Sequence, residues 1–307
     1  EVEVAFFDYL HIVRERMARA KTAWLNLATH EARLRILDEQ VELVREALTT
    51  LESTLASARS ELSDSLLMRQ QLSRLEARRL DVRGERAAAV AEVRRFAGQK
   101  GGSDRVRFEA LESQTLPERD DLRAALIANS ERLKARTLGV ERAQRALDVA
   151  RLEEYPDITV GFDYTEVSSN RFSNPSDNGQ DALMGFVRIS LPIWRDKYDA
   201  IKLGATRELS AARARQRATE DDLVQQIFQT YARVEALQRQ IRLYQERLLP
   251  ESRETFEATL AGFQSGRTGA LHWIEAQRDL LDAEMGRLML EADYLKTVIE
   301  IERLSAV

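Results

Sequence analysis

No cysteine occurs anywhere in the sequence, and proline (5), glycine (13) and aromatic residues (7%) are sparse for 307 residues. Without cysteine there can be no disulfide, thiolate metal site or thiol nucleophile. The shortage of helix breakers permits helices far longer than the usual three turns. No apolar run reaches the roughly 18 residues that a membrane-spanning helix needs. Neither sign of charge dominates: 46 basic and 51 acidic residues are interspersed, for a net charge of −5. There is thus no basic footprint for nucleic acid. A Gly-rich phosphate loop, a GxSxG turn and an HExxH pair are all missing. The three histidines, His11, His30 and His272, lie too far apart for ligand spacing. These absences argue against an enzyme, and no catalytic residue, metal site or cofactor is expected. The first residue is Glu1 and no signal peptide precedes it, so a processed or partial chain is expected.

What is present is helical periodicity. Leu34, Leu37, Val41, Val44, Leu48, Leu51 and Leu55 alternate spacings of three and four, the seam of a coiled coil within a helix over about 8–58. Serines between Ser57 and Ser65 predict a turn, and a second, Ala-rich helix runs to about Phe96. Gly98, Gly101 and Gly102 open a loop that lasts to Pro117. A third helix is expected over about Asp120–Glu153. From Asp196 a very long helix runs to about Ala261, with a seam of Leu223, Ile227, Tyr231, Val234, Leu237, Ile241, Tyr244 and Leu248. Pro250 should kink it or mark a joint. After a turn at Phe263–Gly269, a last helix carries Leu281, Met285, Leu288, Ala292, Leu295 and Ile299 on one stripe.

Between the third and fourth helices the period falls to two. Ile158, Val160, Phe162 and Tyr164 alternate with Thr159, Gly161, Asp163 and Thr165. After a Ser- and Asn-rich stretch, Leu183, Val187, Ile189 and Leu191 share one face, with Arg188 and Ser190 on the other. Each run is about the 9–11 residues that a tilted strand needs to cross a bilayer. A surface hairpin on a soluble protein gives the same alternation. In lipid, two strands would need others to satisfy their edges.

The end of the chain echoes its beginning. Trp24 and Tyr231 each precede a similar seam, Leu34–Leu55 lies over Ile241–Gly262, and the turn at Glu61–Asp64 falls opposite Gly266–Gly269. This reads as a duplicated helical hairpin.

The order of these features resembles the second repeat of TolC-type outer-membrane efflux proteins. The residues that carry the resemblance are Glu154-Tyr-Pro-Asp-Ile158, Ser190-Leu-Pro-Ile193, the tip Phe263-xx-Gly266 and Leu271-His-Trp-Ile-Glu-Ala-Gln277. Leu248-Leu-Pro250 is similar to the heavy-metal-efflux branch. The resemblance implies a mainly α fold of long antiparallel coiled-coil-like helices, of α-barrel type, with one β-hairpin contributing to an outer-membrane β-barrel. It divides the chain into a helical hairpin of repeat one (1–100), a connecting equatorial loop (101–119) and a helix leading to the membrane (120–153). The barrel strands (154–193) and the helical hairpin of repeat two (194–307) follow. The resemblance leaves the first helix and strand pair of repeat one unmatched, so three copies would supply six strands of an expected twelve. A truncated or incompletely ordered form is expected, the alternative being a barrel that closes differently.

The same resemblance implies a homotrimeric duct for passive export in a tripartite efflux or type I secretion system. Its partners would be a periplasmic adaptor (membrane fusion) protein, an inner-membrane pump and outer-membrane lipid. Glu275 matches a pore-constricting acid in the family's last helix, and His272 sits one turn earlier on the same face. Rings of such groups would attract cations at a gate. The tips, Glu61, Leu62, Ser63, Asp64 and Gly266, Arg267, Thr268, Gly269, are the candidate adaptor-docking surfaces. Ile158, Val160, Phe162 and Tyr164 are expected to face lipid, with Tyr164 as an interfacial anchor. The alternatives are a periplasmic adaptor or a structural coiled-coil tether, and for Glu275 an ordinary interhelix salt bridge.

Overall fold

The computed structural model describes residues 2–55, 62–97, 117–166, 168, 172 and 181–305. The elements run α1 (Val2–Leu55), α2 (Leu62–Ala97), α3 (Arg119–Asn129), α4 (Glu131–Leu152), β1 (Asp157–Thr165), β2 (Ala182–Ser190), α5 (Arg195–Leu243), a π-helical turn (Tyr244–Leu248), α6 (Leu249–Gln264) and α7 (Ala270–Ser305). The fold is mainly α with one antiparallel pair of strands. It divides into two compact units, one of Glu1–Ala5 with Arg132–Glu220, the other of Phe6–Glu131 with Asp221–Val307.

In the larger unit α1 and α2 form an antiparallel pair, and their charges record the alignment. Glu52 meets Arg69, Arg45 meets Glu76, Asp38 meets Arg79, Arg33 meets Glu85 and Glu31 meets Arg86. One number falls as the other rises, over about 32 Å of helix. These pairs sit beside the seam and are largely solvated, so they set alignment more than they add stability. The seam itself supplies the burial. Leu37, Val41, Val44 and Leu51 join Met68, Leu75 and Val82 of α2, Phe256 of α6, and Ala270, Trp273, Ile274, Leu281 and Met285 of α7 in one core.

The expected seam holds along α5, where Leu223, Ile227, Val234 and Leu237 are buried. It fails at Leu248, which is 39% exposed, and Leu249 packs on the core instead. The π turn is the reason. Pro250 has no N–H to give and its ring crowds the carbonyl four residues back. The preceding turn widens, so that the Leu249 N–H reaches the Tyr244 carbonyl, five residues away. One extra residue in that turn resets the seam to Leu249, Phe256, Leu260 and Phe263. Of the kink or joint expected at Pro250, the chain shows a joint, at which the helical phase changes.

Two further boundaries and one buried stripe differ from expectation. The helix expected over 120–153 breaks at Ser130, whose extended backbone (ψ 114°) ends α3. Asn129 and Ser130 are weak helix formers whose side chains compete for backbone groups. Glu131 then starts α4, and its buried carboxylate accepts from Arg14 Nη2 at 2.5 Å. Leu62, Ser63 and Asp64, read as turn residues, form the first turn of α2, where Asp64 complements the helix dipole. Leu295 and Ile299 are only half-buried on α7, while Tyr294, Val298 and Ile301 are buried. There α3 packs against α7 and recruits a second face.

The core of the larger unit also holds polar groups. Gln277 is fully buried, accepts from Gln71 Nε2 (2.8 Å) and donates to Gln40 Oε1 (2.8 Å). Arg278 donates to Gln71 Oε1 through Nε and Nη2 (3.0 and 2.7 Å). Gln71 and Gln277 are 206 residues apart. The same offset relates buried Met68 to Ile274, Leu75 to Leu281 and Val82 to Leu288. Buried positions of α2 and α7 thus share one offset, and Gln71 and Gln277, which stand at that offset, bond to each other.

The smaller unit pairs α4 with the first half of α5 through Ala143, Leu147 and Leu209. Gln216 donates to the Thr137 hydroxyl (2.9 Å), and Lys202 pairs with Glu154.

Two predictions concern stability. Gln277→Leu leaves Gln40 and Gln71 each short of a buried partner and should cost about 2–4 kcal/mol in urea unfolding. Replacing all three glutamines by leucine should recover most of that loss. Burial holds the Glu284 carboxyl above its ordinary value of 4.5, and the nearby Glu39 adds to this. Arg253, Gln40 and Arg287 act in the opposite direction. A raised carboxyl costs stability while it is ionised, and that cost fades as pH falls through the folded-state value. Glu284→Gln should therefore raise the melting temperature at neutral pH, with the gain vanishing below about pH 4.5.

Candidate functional site: an exposed acidic stripe, a helical tip and a two-faced hairpin

On α7 the buried side chains Trp273, Ile274, Ala276, Gln277, Leu280 and Leu281 fix which side faces out. His272 and Glu275 both lie on the exposed side. Neither forms an ion pair or hydrogen bond among the described residues, so the interhelix salt bridge considered for Glu275 is not made there. Asp279 and Asp282 continue the exposed stripe at spacings of four and three. The sequence reading passed over both, although their spacing from Glu275 carried the signal. Asp282 is 3.6 Å from Arg78 of α2.

At the α6–α7 tip, Phe256 and Phe263 clasp Trp273, with ring centroids 6.0 and 5.9 Å away. The chain reverses through Gly266 (φ +73°), a backbone region that favours glycine. The N–H groups of Arg267 and Thr268 both donate to the Gly262 carbonyl, at 2.9 and 3.2 Å. Close approach falls on Gly262, where a β-carbon would lie 2.3 Å from the Thr268 hydroxyl. Gly269 has open space around it. Gln264, Ser265, Gly266 and Arg267 are exposed. At the other tip Leu62 is 66% exposed, Ser63 is exposed and Asp64 half-buried, while Glu61 lies outside the described residues.

The strands pair in register from Asp157↔Ser190 to Thr165↔Ala182. Alternation puts Ile158 with Ile189, Val160 with Val187, Phe162 with Gly185 and Tyr164 with Leu183 on one face. The other face carries Asp157, Ser190, Thr159, Arg188, Gly161, Phe186, Asp163 and Met184. Each face has one glycine roofed by a phenylalanine of the opposite strand. Phe186 stands over Gly161, and Phe162 over Gly185. Nine residues span about 30 Å, the thickness of a hydrocarbon core. The apolar face lies open, with Phe162 77% and Leu183 75% exposed. Tyr155, Ile193 and Trp194 are exposed at the helix end, and Tyr164 donates to Asp181 near the other end.

No described helix is long and apolar enough to cross a membrane. No group of three His, Cys, Asp or Glu side chains able to hold a metal ion occurs among the described residues.

Long paired helices joined to a short two-faced hairpin define a class of outer-membrane proteins. Residues 122–307 match the family described as outer membrane efflux protein, and the chain belongs to that family. It is 25% identical over 209 residues to the cobalt-zinc-cadmium resistance protein CzcC of Cupriavidus metallidurans, covering 68% of this chain and 46% of CzcC. The chain thus spans about half the length of that curated relative. The outer-membrane channel OprN superposes with a TM-score of 0.87 at 17% identity, over 99% of this chain and 68% of OprN. The outer membrane protein VceC of Vibrio cholerae does so at 0.83 and 16%, over 99% of this chain and 72% of VceC.

Gly262→Ala should destabilise the tip by about 1–3 kcal/mol. Adding Thr268→Ala should restore most of it, a coupling that a double-mutant cycle of unfolding free energies reads directly.

Proposed function

We propose that this chain is a subunit of an outer-membrane efflux duct that passes substrate across the periplasm and outer membrane without chemistry. The observation that carries the reading is the hairpin, bilayer-long, apolar on one face and mixed on the other, with long helices leading into and out of it. In lipid the outer edges of β1 and β2 must find partners, and only a closed barrel supplies them throughout. Further copies of the chain, as a homotrimer, are the natural source. Val149, Leu152 and Leu203 are also left exposed on α4 and α5, consistent with helices that pack on neighbours.

In this reading Ile158, Val160, Phe162 and Tyr164 face lipid, and 154–193 form the membrane strands. Tyr155 and Trp194 sit at one interface and Tyr164 at the other. Residues 1–100 and 194–307 are the helical hairpins that extend into the periplasm, with 101–119 as the connecting equatorial loop and 120–153 leading to the membrane. The exposed tip Gly266, Arg267, Thr268 and Gly269, with Glu61, Leu62, Ser63 and Asp64 at the other hairpin, receives a periplasmic adaptor coupled to an inner-membrane pump. Glu275 and His272 lie close to that tip on the unpaired face of α7. Three copies would ring the axis there, drawing cations to a gate.

The test is reconstitution of the protein into planar bilayers, with its size measured in detergent. A trimer with stepwise conductance is expected, and a monomer that never conducts would refute the duct. Glu275→Gln should lower cation preference; an unchanged reversal potential would remove Glu275 from the gate.

A further inference from the structure

The mixed face of the hairpin carries one basic side chain, Arg188, and the structure holds it in an unusual way. Gly161 of β1 has no β-carbon, and the Phe186 ring of β2 fills that space. A β-carbon there would lie 2.5 Å from the ring. Phe186 is half-buried while its neighbours along β2 are exposed. Arg188 is two residues further along the same face, and its guanidinium carbon stands 5.6 Å from the Phe186 ring centroid. A guanidinium near an aromatic face is attracted by the ring quadrupole and loses part of its rotamer freedom. The glycine seats the ring, and the ring steadies the charge.

The two acids of that face outnumber this charge but do not pair with it. Asp157 sits diagonally opposite Arg188, and Asp163 lies beyond Phe186. Arg188 forms an ion pair with neither, nor with any other acid among the described residues. A long cationic side chain beside two carboxylates would ordinarily be neutralised locally.

We infer that Arg188 is an ion-selectivity determinant of the membrane pore, opposing the Asp157 and Asp163 carboxylates of the same face and raising the passage of small anions and anionic solutes above what those acids alone would allow. This rests on the duct reading, in which the mixed face lines water. Each copy then contributes one guanidinium at the same height, between the helix end of the strands and the Phe186 ring. Charged rings of this kind act on every ion that passes, because a water-filled lumen leaves few routes around them. Thr159 and Ser190, beside Arg188 on this face, are uncharged, and the carboxylates that oppose it, Asp157 and Asp163, lie on either side of it along the strands.

The experiment is a reversal-potential measurement in a KCl gradient with the protein in planar bilayers. Arg188→Gln should lower the chloride-to-potassium permeability ratio by about fivefold, the scale of one unit charge a few ångströms from the ion path in water. Arg188→Lys should keep the ratio near wild type. Ser190→Asp, which adds a negative charge on the same face, should shift it in the same direction as Arg188→Gln. It also serves as the second variant if Arg188→Gln does not assemble. A ratio unchanged in both neutral and acidic variants overturns the inference and leaves the duct intact. A wild-type protein that never conducts overturns the duct reading itself, and the inference with it.

Discussion

A buried primary amide must have both its oxygen and its nitrogen satisfied, and at Gln277 water supplies neither. The side chain can exist where it does only because Gln71 donates to it and Gln40 accepts from it. Apolar seams tolerate sliding, since one leucine fits a groove much as the next one does. Amides do not, because a displacement of one turn would strand every member of the set. This network therefore fixes α1, α2 and α7 against one another at one height. Trp273 of the aromatic clasp at the tip and the exposed side of α7 lie on the same helix that this network holds in place. Because Gln71 and Gln277 come from helices of the two ends of the chain, 206 residues apart, the constraint ties those ends together directly.

Much of this was legible in the amino-acid sequence. Spacings of three and four located the helices, and a switch to two located the hairpin and separated its faces, because both periods are set by backbone geometry alone. What escaped reading has a common cause. Heptad arithmetic assigns glutamine and glutamate to the surface, so Gln40, Gln71 and Glu291 gave no sign that they are buried. Glu291 is tolerable there because Arg287 (2.8 Å) and Gln245 (3.2 Å) hold its carboxylate. Pro250 announced a disturbance, but its form depended on tertiary packing. Leu248 and Leu249 are adjacent and chemically alike, and only the core decides which one turns inward. The break at Ser130 had a signal, in Asn129-Ser130, too weak to outweigh the helical pattern on both sides.

The site was legible to a different depth. His272 and Glu275 were found by likeness, and the fold places them on an open face, free of the partners that would make them structural. The continuation through Asp279 and Asp282 needed only the same spacing rule carried one turn further. At the tip, attention to Gly266 and Gly269 missed Gly262, because the need for that glycine arises from a threonine hydroxyl six residues along the chain. Contacts made by a folded turn on itself leave no period to read.

The reciprocal glycines of the hairpin have a bearing on how it avoids mispairing. A slip of two residues between β1 and β2 would preserve the polarity of both faces, so hydrophobicity alone cannot forbid it. In such a slip each phenylalanine ring would meet a residue that has a β-carbon, where now it meets none. Shape discriminates where polarity does not, and it does so from within the strands. The alignment of the hairpin therefore does not depend on the connection between Thr165 and Ala182.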